Sequence, residues 1–316
     1  MGDTSKLIAF GPVPSRRLGQ SLGINNIPPK SCTYSCIYCQ VGRTQDMIVE
    51  RKEFYKVDDI LREVGKRISK ARDEDEAIDY LTFVSDGEPT LDINLGREIE
   101  TLKPFGIKVA VITNASLVWG KSVKDDLCRA DWVSVKIDAV SEDIWRKVNR
   151  PYRSLKLKNI LRGISEFSDM FTGTLATETM LVEGVNDGEE EIKRTADFIS
   201  GLKSPKSYIS IPTRPPTEKE VRPPDENTIN RAYQIFVNKA IDTEYLIGYE
   251  GNAFAFTGDV KQDLLSITSV HPMKEEAVVE LLNKAKADWN IVETLIAERA
   301  LRRVRYRDQN FYVRKI

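Results

Sequence analysis

Lys30-Ser31-Cys32-Thr33-Tyr34-Ser35-Cys36-Ile37-Tyr38-Cys39-Gln40 places three thiols within eight residues, spaced C-x3-C-x2-C, on a loop after the first β-rich run. Thiolates at this density are soft ligands for zinc or for an iron–sulfur cluster. The chain has 316 residues and four cysteines, which is no framework for a disulfide-stapled secreted domain. A zinc site would need a fourth ligand, and Cys128 and the single histidine, His271, are the candidates. Three thiolates on a four-iron cube leave one iron open instead, and an open position is what catalysis needs. Cys128, in Asp126-Leu127-Cys128-Arg129, reads as a small core residue rather than a ligand.

Outward from the cysteines, β-rich runs at 21–24, 80–85, 108–113, 132–138, 175–182, 208–211 and 245–249 alternate with helical patterns. Those patterns fall at 57–71, 95–103, 155–167, 190–199 and 226–240. In the last, Ile229, Ala232, Tyr233 and Phe236 recur at i, i+3, i+4 and i+7 and form one apolar face. This order predicts an α/β fold with a parallel sheet. In Val133-Ser134-Val135-Lys136-Ile137-Asp138 the apolar residues take one face while Ser134, Lys136 and Asp138 share the other. The alternation recurs at Tyr208-Ile209-Ser210-Ile211, and Glu178 interrupts an apolar and Thr-rich strand. A polar inner face predicts a partial (β/α)6 TIM-like barrel around a cavity. Prolines at 212, 215, 216, 223 and 224 rule out helix or interior strand over 211–224. That segment is expected to be a stiff loop at the active end of the barrel, placed to cover a substrate.

The pattern changes near Ser269, and the expected domains are 1–268 and 269–316. Helices at 273–286 and 289–298, then strands at 301–306 and 311–316 around Arg307-Asp308-Gln309-Asn310, suggest a small winged-helix module. Its hairpin carries Arg302, Arg303, Arg305, Arg307, Arg314 and Lys315 against Asp308 alone, which reads either as a local basic patch or as a charged edge that resists aggregation. The whole chain, with 47 Lys+Arg and 48 Asp+Glu, is no polycation. With no apolar run near membrane-spanning length, and no basic, apolar, small-residue order over Met1 to Gly11, the expected place is the cytoplasm. One histidine excludes most zinc-hydrolase, haem and serine-triad chemistry.

The cysteine spacing, with Tyr38 before the last thiol, resembles the defining motif of the radical S-adenosylmethionine superfamily. The resemblance implies that Cys32, Cys36 and Cys39 hold a [4Fe–4S] cluster. An external electron donor would feed it, and S-adenosylmethionine would be cleaved to a 5′-deoxyadenosyl radical. Tyr38 would lie beside the adenine. Ser85-Asp86-Gly87-Glu88-Pro89-Thr90 resembles the superfamily's "GGE" motif, with Asp86 in place of the first glycine, so Gly87 and Glu88 would hold the ligand's ammonium. Asn114, Ser134, Lys136 and Asp138 would contact the ligand from strand ends. Met180 to Asp187 resembles the "GxIxGxxE" region, and Gly248, in Leu246-Ile247-Gly248-Tyr249, would belong to an apolar shelf for adenine. Lys136, Glu178 and Arg214 are the candidate catalytic residues. Lys136 reads as a carbonyl-binding amine or as an ion-pair partner.

Phe10-Gly11-Pro12-Val13-Pro14-Ser15-Arg16-Arg17-Leu18-Gly19, with Ile27-Pro28-Pro29-Lys30, Gly87-Glu88-Pro89-Thr90-Leu91 and His271-Pro272-Met273, narrows the likeness. The chain is similar to proteins related to the wybutosine-synthesis enzyme of tRNA. That enzyme carries a second cluster, whereas only Cys128 remains here. The leading expectation is radical modification of RNA, tRNA first, or of a nucleotide. The alternatives are radical chemistry on a protein or small metabolite, and a non-enzymatic, zinc-containing winged-helix regulator.

Overall fold

The computed structural model describes residues 8–203, 205–248 and 254–315. The N-terminal reading up to residue 7 and the strand ends expected at Tyr249 and Ile316 lie outside the described residues. In chain order the elements begin with β1 (Ala9–Ser15), β2 (Gly19–Ile24), β3 (Ser31–Cys32), β4 (Asp46–Met47), α1 (Val57–Asp73), β5 (Tyr80–Phe83), α2 (Leu95–Leu102) and β6 (Lys108–Thr113). Next come α3 (Lys121–Leu127), β7 (Trp132–Lys136), α4 (Glu142–Asn149), α5 (Leu157–Met170), β8 (Thr174–Met180), α6 (Glu189–Ser200), β9 (Lys206–Ser210), α7 (Glu226–Asn238) and β10 (Asp242–Leu246). The chain continues through α8 (Val260–Val270), β11 (Met273–Lys274), α9 (Glu275–Lys284), α10 (Asn290–Ala297), β12 (Leu301–Tyr306) and β13 (Gln309–Arg314).

One sheet runs β1-β2-β5-β6-β7-β8-β9-β10. All its neighbours pair in parallel except β1, which is antiparallel to β2. The fold is therefore α/β with a mostly parallel central sheet, consistent with a partial TIM-like barrel. Its seven parallel strands, β2 and β5 to β10, fall on the seven β-rich runs of the sequence, one strand more than a six-fold (β/α) count. Alternation divides the faces as the strand sequences imply. Leu81, Phe83, Val109, Val111, Val133, Val135 and Ile209 face out into the main core with Ile60, Val64, Ile99, Ile160 and Ile164 of the surrounding helices. Inside, Leu18, Ala110, Trp132, Ala176, Tyr208 and Leu246 pack together and fill the floor of the barrel. Leu18 belongs to the β1–β2 turn, so the hairpin that begins the sheet also helps plug its interior.

Besides the short helices α3 and α4 and the two-residue strands, β1 and α8 escaped the sequence reading, both for physical reasons. β1 contains Pro12 and Pro14, which lack the donor an interior strand uses; as an edge strand with an irregular register between Phe10 and Val13, it tolerates them. Gly23 of β2 lies directly under the Phe10 ring, where a Cβ would come within 2.0 Å of it. α8 carries buried Ser266, Thr268 and Ser269, which look like loop residues in sequence. Their hydroxyls bond back to the helix carbonyls of Gln262, Leu264 and Ser266, so burial leaves none of them unmet.

The C-terminal segment packs in a second core with Phe254, Leu264, Ile267, Met273, Leu281, Val292, Leu295 and Tyr312, and Phe10 and Val13 of β1 enter it. Its small antiparallel sheet has the order β11-β13-β12. The helix expected from 273 begins at Glu275, because Met273 is fully buried as a strand residue opposite Tyr312. α8 straddles the expected boundary at 268/269. A buried ion pair from Arg67 of α1 to Asp263 of α8, at 2.7 Å, ties this segment to the barrel.

Candidate active site

The C-terminal ends of the parallel strands open on a cavity of about 280 Å³. Its wall includes Cys32, Cys36 and Cys39, together with Tyr38, Asp86, Gly87, Lys136, Glu178, Ser210, Arg214 and Gly248. The three cysteines and the three candidate catalytic residues thus share one space.

Local bonding holds the cysteine loop. The Ile48 amide donates to the Cys32 carbonyl at 3.1 Å, and the Cys39 amide donates to the Cys36 carbonyl at 3.1 Å. Two amide side chains reach the sulfurs, Asn114 Nδ2 at 3.6 Å from Cys32 Sγ and Asn149 Nδ2 at 3.4 Å from Cys36 Sγ. Burial pushes the Cys32 and Cys39 thiols up and Cys36 to about 12. Three thiolates are costly in such a place unless a cationic group compensates them, and N–H donors to sulfur suit an iron–sulfur cluster. The donor set therefore fits the cluster. Among the described residues zinc finds no fourth ligand: Cys128 caps α3 and packs on the outer core, while His271 sits 2.9 Å from Arg214 and edge-on to Phe254. Among the described residues no three Cys, His, Asp or Glu side chains converge on a single ion. Thiolates at separate corners of a cube need not do so.

Gly87 is required by crowding: a Cβ there would lie 1.9 Å from the Ser31 carbonyl oxygen, where the chain beyond β5 touches the segment entering the cysteine loop. Glu88 sits one residue beyond and is fully buried. Its carboxylate accepts from Thr90 N at 3.0 Å, Thr90 Oγ1 at 2.6 Å, Thr113 Oγ1 at 2.6 Å and Asn114 N at 2.8 Å. It caps the short 3-10 turn Pro89–Leu91 and fastens it to the end of β6. Asn114 lies beside Cys32 and donates to Thr33 Oγ1 at 2.9 Å. Asp138 accepts from the Tyr38 hydroxyl, from Asn149 at 2.7 Å and from the Met180 amide at 2.9 Å. Ser134 is buried, and its hydroxyl has no hydrogen-bond partner among the described residues.

Lys136 Nζ stands 3.0 Å from Glu178 and 5.0 Å from the centre of the Tyr38 ring. Arg17 takes the other Glu178 oxygen at 2.5 Å, and Ser210 Oγ donates to the first at 3.0 Å. Burial alone would raise Glu178, yet the two cations and the hydroxyl hold its carboxyl well below the usual carboxylate range. Lys136 is opposed by burial and lifted by Glu178 and Asp138, so its ammonium persists. Arg214 donates to Gln40 Oε1 at 2.9 Å, next to Cys39.

Asp86, where the motif usually has glycine, is also in the wall. Burial raises its carboxyl to about 6 against the pull of Lys30, whose ammonium is 3.6 Å away. The sequence reading assigned no role to Arg16, Arg17, Lys30 or Asp86. Tandem arginines in an otherwise apolar hairpin were the available signal, since a turn sealing a barrel floor has little other use for paired charge.

A family model described as the Radical SAM superfamily matches residues 26–199. Over 98% of its length the chain is 49% identical to a UPF0026 protein of Methanocaldococcus jannaschii, 96% of which is covered. It is 35% identical to a UPF0026 protein of Helicobacter pylori over 67% of this chain and 68% of that one. Among solved structures, a radical SAM methyltransferase from Sphaerobacter thermophilus superposes with a TM-score of 0.57 at 16% identity, over 72% of this chain and 66% of that chain, which speaks for the fold alone. The matched span runs from the end of the strand before the cysteine loop to the end of α6, more than half of the chain, and the protein belongs to the Radical SAM superfamily, which implies S-adenosylmethionine and a [4Fe–4S] cluster.

Proposed function

We propose that this enzyme modifies RNA, with tRNA the first candidate, and that it belongs near the wybutosine-synthesis enzyme within its superfamily. Cys32, Cys36 and Cys39 would hold the cluster, which when reduced by an external donor supplies the electron that splits S-adenosylmethionine into methionine and a 5′-deoxyadenosyl radical. Tyr38, Gly87, Asn114, Ser134, Asp138 and Gly248 are assigned to S-adenosylmethionine binding; of these Tyr38, Gly87 and Gly248 line the cavity, and Asn114, Ser134 and Asp138 stand outside its lining. Glu88 is assigned to holding the turn that presents Gly87. Lys136, Glu178 and Arg214 face the substrate. Lys136 acts as a fixed cation, since its ion pair with Glu178 keeps the amine protonated and so disfavours nucleophilic attack.

The C-terminal order helix, strand, two helices, two strands supports a winged-helix module, and we assign it from α8 onward. One observation carries the RNA reading. The Tyr306 hydroxyl at the tip of β12 donates to the Pro212 carbonyl at 3.2 Å, two residues before Arg214 in the cavity wall. The hairpin is thereby fixed at the edge of the site, with Arg302, Arg303, Arg305 and Arg307 exposed, while Arg314 turns inward to the Leu265 carbonyl at 3.1 Å. Only one cysteine, Cys128, lies outside the cluster loop, so a single cluster is assigned.

Anaerobic reconstitution with iron and sulfide, followed by a strong reductant, tests the enzyme reading: 5′-deoxyadenosine should form. A protein that takes up zinc and makes none would refute it. Affinity for tRNA measured against salt tests the substrate. Replacing the four exposed arginines with alanine should flatten the slope of log K against log salt, by at most about 0.9 for each arginine–phosphate pair removed. A wild-type protein indifferent to RNA and salt points instead to a protein or metabolite substrate.

A further inference from the structure

We infer that Glu98 of α2 is a positioning residue that stands as the neutral acid at neutral pH, that it shares its proton with Asp92, and that the pair thereby fixes, through Asn26, the turn that presents Gly87. The link to S-adenosylmethionine rests on the assignment of Gly87 to that ligand above.

Burial without partners is the first argument. Glu98 and Asp92 are both wholly buried. Each keeps one carboxyl oxygen with no hydrogen-bond partner among the described residues, Oε1 of Glu98 and Oδ2 of Asp92. Their other oxygens are engaged, Glu98 Oε2 by Asn26 Nδ2 at 3.0 Å and Asp92 Oδ1 by the Asn94 amide at 2.8 Å. Two buried like charges, each with an unmet oxygen, are costly, and one proton between them removes a charge and supplies the missing donor. The amide bond favours the charged form of Asp92, so the proton resides on Glu98. Burial, with Asp92 and Asp126 nearby, pushes the Glu98 carboxyl well above the usual carboxylate range, and burial takes Asp92 to about 6.

The surrounding charges are the second. Arg51 spends its guanidinium on Asp126 of α3 at 2.5 Å and on the carbonyls of Asp92 and Thr90 at 2.7 and 2.8 Å. Asp126 is brought close by Gly96 of α2, where a Cβ would lie 2.2 Å from its Oδ1 and 3.1 Å from Arg129 Cδ. Arg129 itself reaches Glu100 at 3.8 Å. Glu53, which holds Asn94 Nδ2 at 2.8 Å, adds a further negative charge towards Asp92. Among the described residues, then, neither Glu98 nor Asp92 has a side-chain cation paired with it, and no third ligand completes a metal site.

Position is the third. Asn26 Nδ2 also donates to the Pro89 carbonyl at 3.2 Å, and its Oδ1 accepts from Ser85 Oγ at 2.9 Å. Ser85 and Pro89 bracket Asp86-Gly87-Glu88, so one amide clasps both ends of the turn and Glu98 orients that amide. Asp92 ends the short 3-10 turn that follows. Ionising Glu98 would drive the two carboxylates apart and loosen the clasp and the turn together.

The test reads the protein with and without S-adenosylmethionine, always without reductant. Infrared absorption of the ligand-free wild type at pH 7 should contain the carbonyl stretch of a protonated carboxyl that Glu98→Gln lacks. Glutamine keeps an acceptor for Asn26 and brings a neutral donor to Asp92. This variant should therefore bind S-adenosylmethionine within about twofold of wild type at pH 7, whereas Glu98→Ala should bind about tenfold more weakly. An acid whose native carboxyl is raised favours the native state less as the pH rises through that range. From about pH 5 to about pH 9 the melting temperature and the affinity of the wild type should both fall relative to Glu98→Gln, a ratio that cancels titration of the ligand and of the cysteine loop. No band lost in Glu98→Gln, parallel pH profiles, or a Gln variant impaired at pH 7 would each overturn the shared proton, and these readings stand even if Glu98→Ala does not fold. Ligand affinity indifferent to a folded Glu98→Ala at every pH would overturn the positioning role. A reconstituted wild type that binds no S-adenosylmethionine sinks the cofactor reading alone, because the band and the melting profiles are read without the ligand.

Discussion

Glu178 is a buried carboxylate with two cations and a hydroxyl on it, and its energetics follow from that company. Its carboxyl is held below the value it has in an unfolded chain, near 4.3 for glutamate. The stability it contributes is therefore whole above that range and is lost as the pH falls below it. Glu178→Gln leaves Lys136 and Arg17 buried without their counter-charge and should cost about 3 kcal/mol at neutral pH. Thermal unfolding read from about pH 7 down to about pH 3 should show the gap between variant and wild type narrowing with acid; a constant gap would remove the electrostatic account. Gly87→Ala makes a different demand, because the Ser31 carbonyl must move away from the new methyl. The displaced cysteine loop should hold clearly less iron per chain after reconstitution, by iron and sulfide analysis. At this scale the three thiols were legible because ligand chemistry is local in sequence. Glu88 was legible only as a motif letter, since a capping carboxylate and a ligand carboxylate are the same residue until the partners Thr90, Thr113 and Asn114 are seen. Arg17 was not legible as a site residue, because its partner lies 161 positions away on another strand.

Among the elements, the proline-rich segment between β9 and α7 shows most clearly how composition and role connect. Its prolines exclude regular structure, as the sequence implied, and leave polar groups free to bind elsewhere. Thr217 Oγ1 donates to the Cys39 carbonyl at 2.7 Å, the Glu218 amide donates to the Ile37 carbonyl at 3.1 Å, and the Glu218 carboxylate pairs with Arg150 at 2.6 Å. The expected cover is thus a strap over the cysteine loop. Thr217→Val removes one tie without changing volume greatly and should speed the release of iron to a chelator several-fold, followed by the fading of visible absorbance. An unchanged rate would mean the strap merely lies on the loop. Most helices and the parallel strands were readable because apolar periodicity survives any partner, whereas the short α3 and α4 offer too few turns to show it. β1 and α8 were not, since prolines and buried hydroxyls mimic loop composition until edge position and backbone bonding account for them.

At the scale of the molecule, the barrel and the C-terminal segment are not independent. Phe10 and Val13 of β1 are core residues of the C-terminal cluster, the Ala255 amide donates to the Pro12 carbonyl at 3.1 Å, and Arg67 holds Asp263 across the junction. A chain cut before α8 should therefore expose the Phe10 side of β1 and leave Arg67 without its counter-ion. We expect it to aggregate or to melt well below the full chain in light-scattering and thermal measurements, whereas alanines at the four exposed hairpin arginines should leave the melting temperature nearly unchanged. The covering of β1 also sets an order of events in time. A ribosome releases this strand long before α8, the helix that shields it. During synthesis the hairpin must wait with an aromatic face uncovered, so its docking is a late, non-local step, and the nascent chain is most prone to aggregation in that interval.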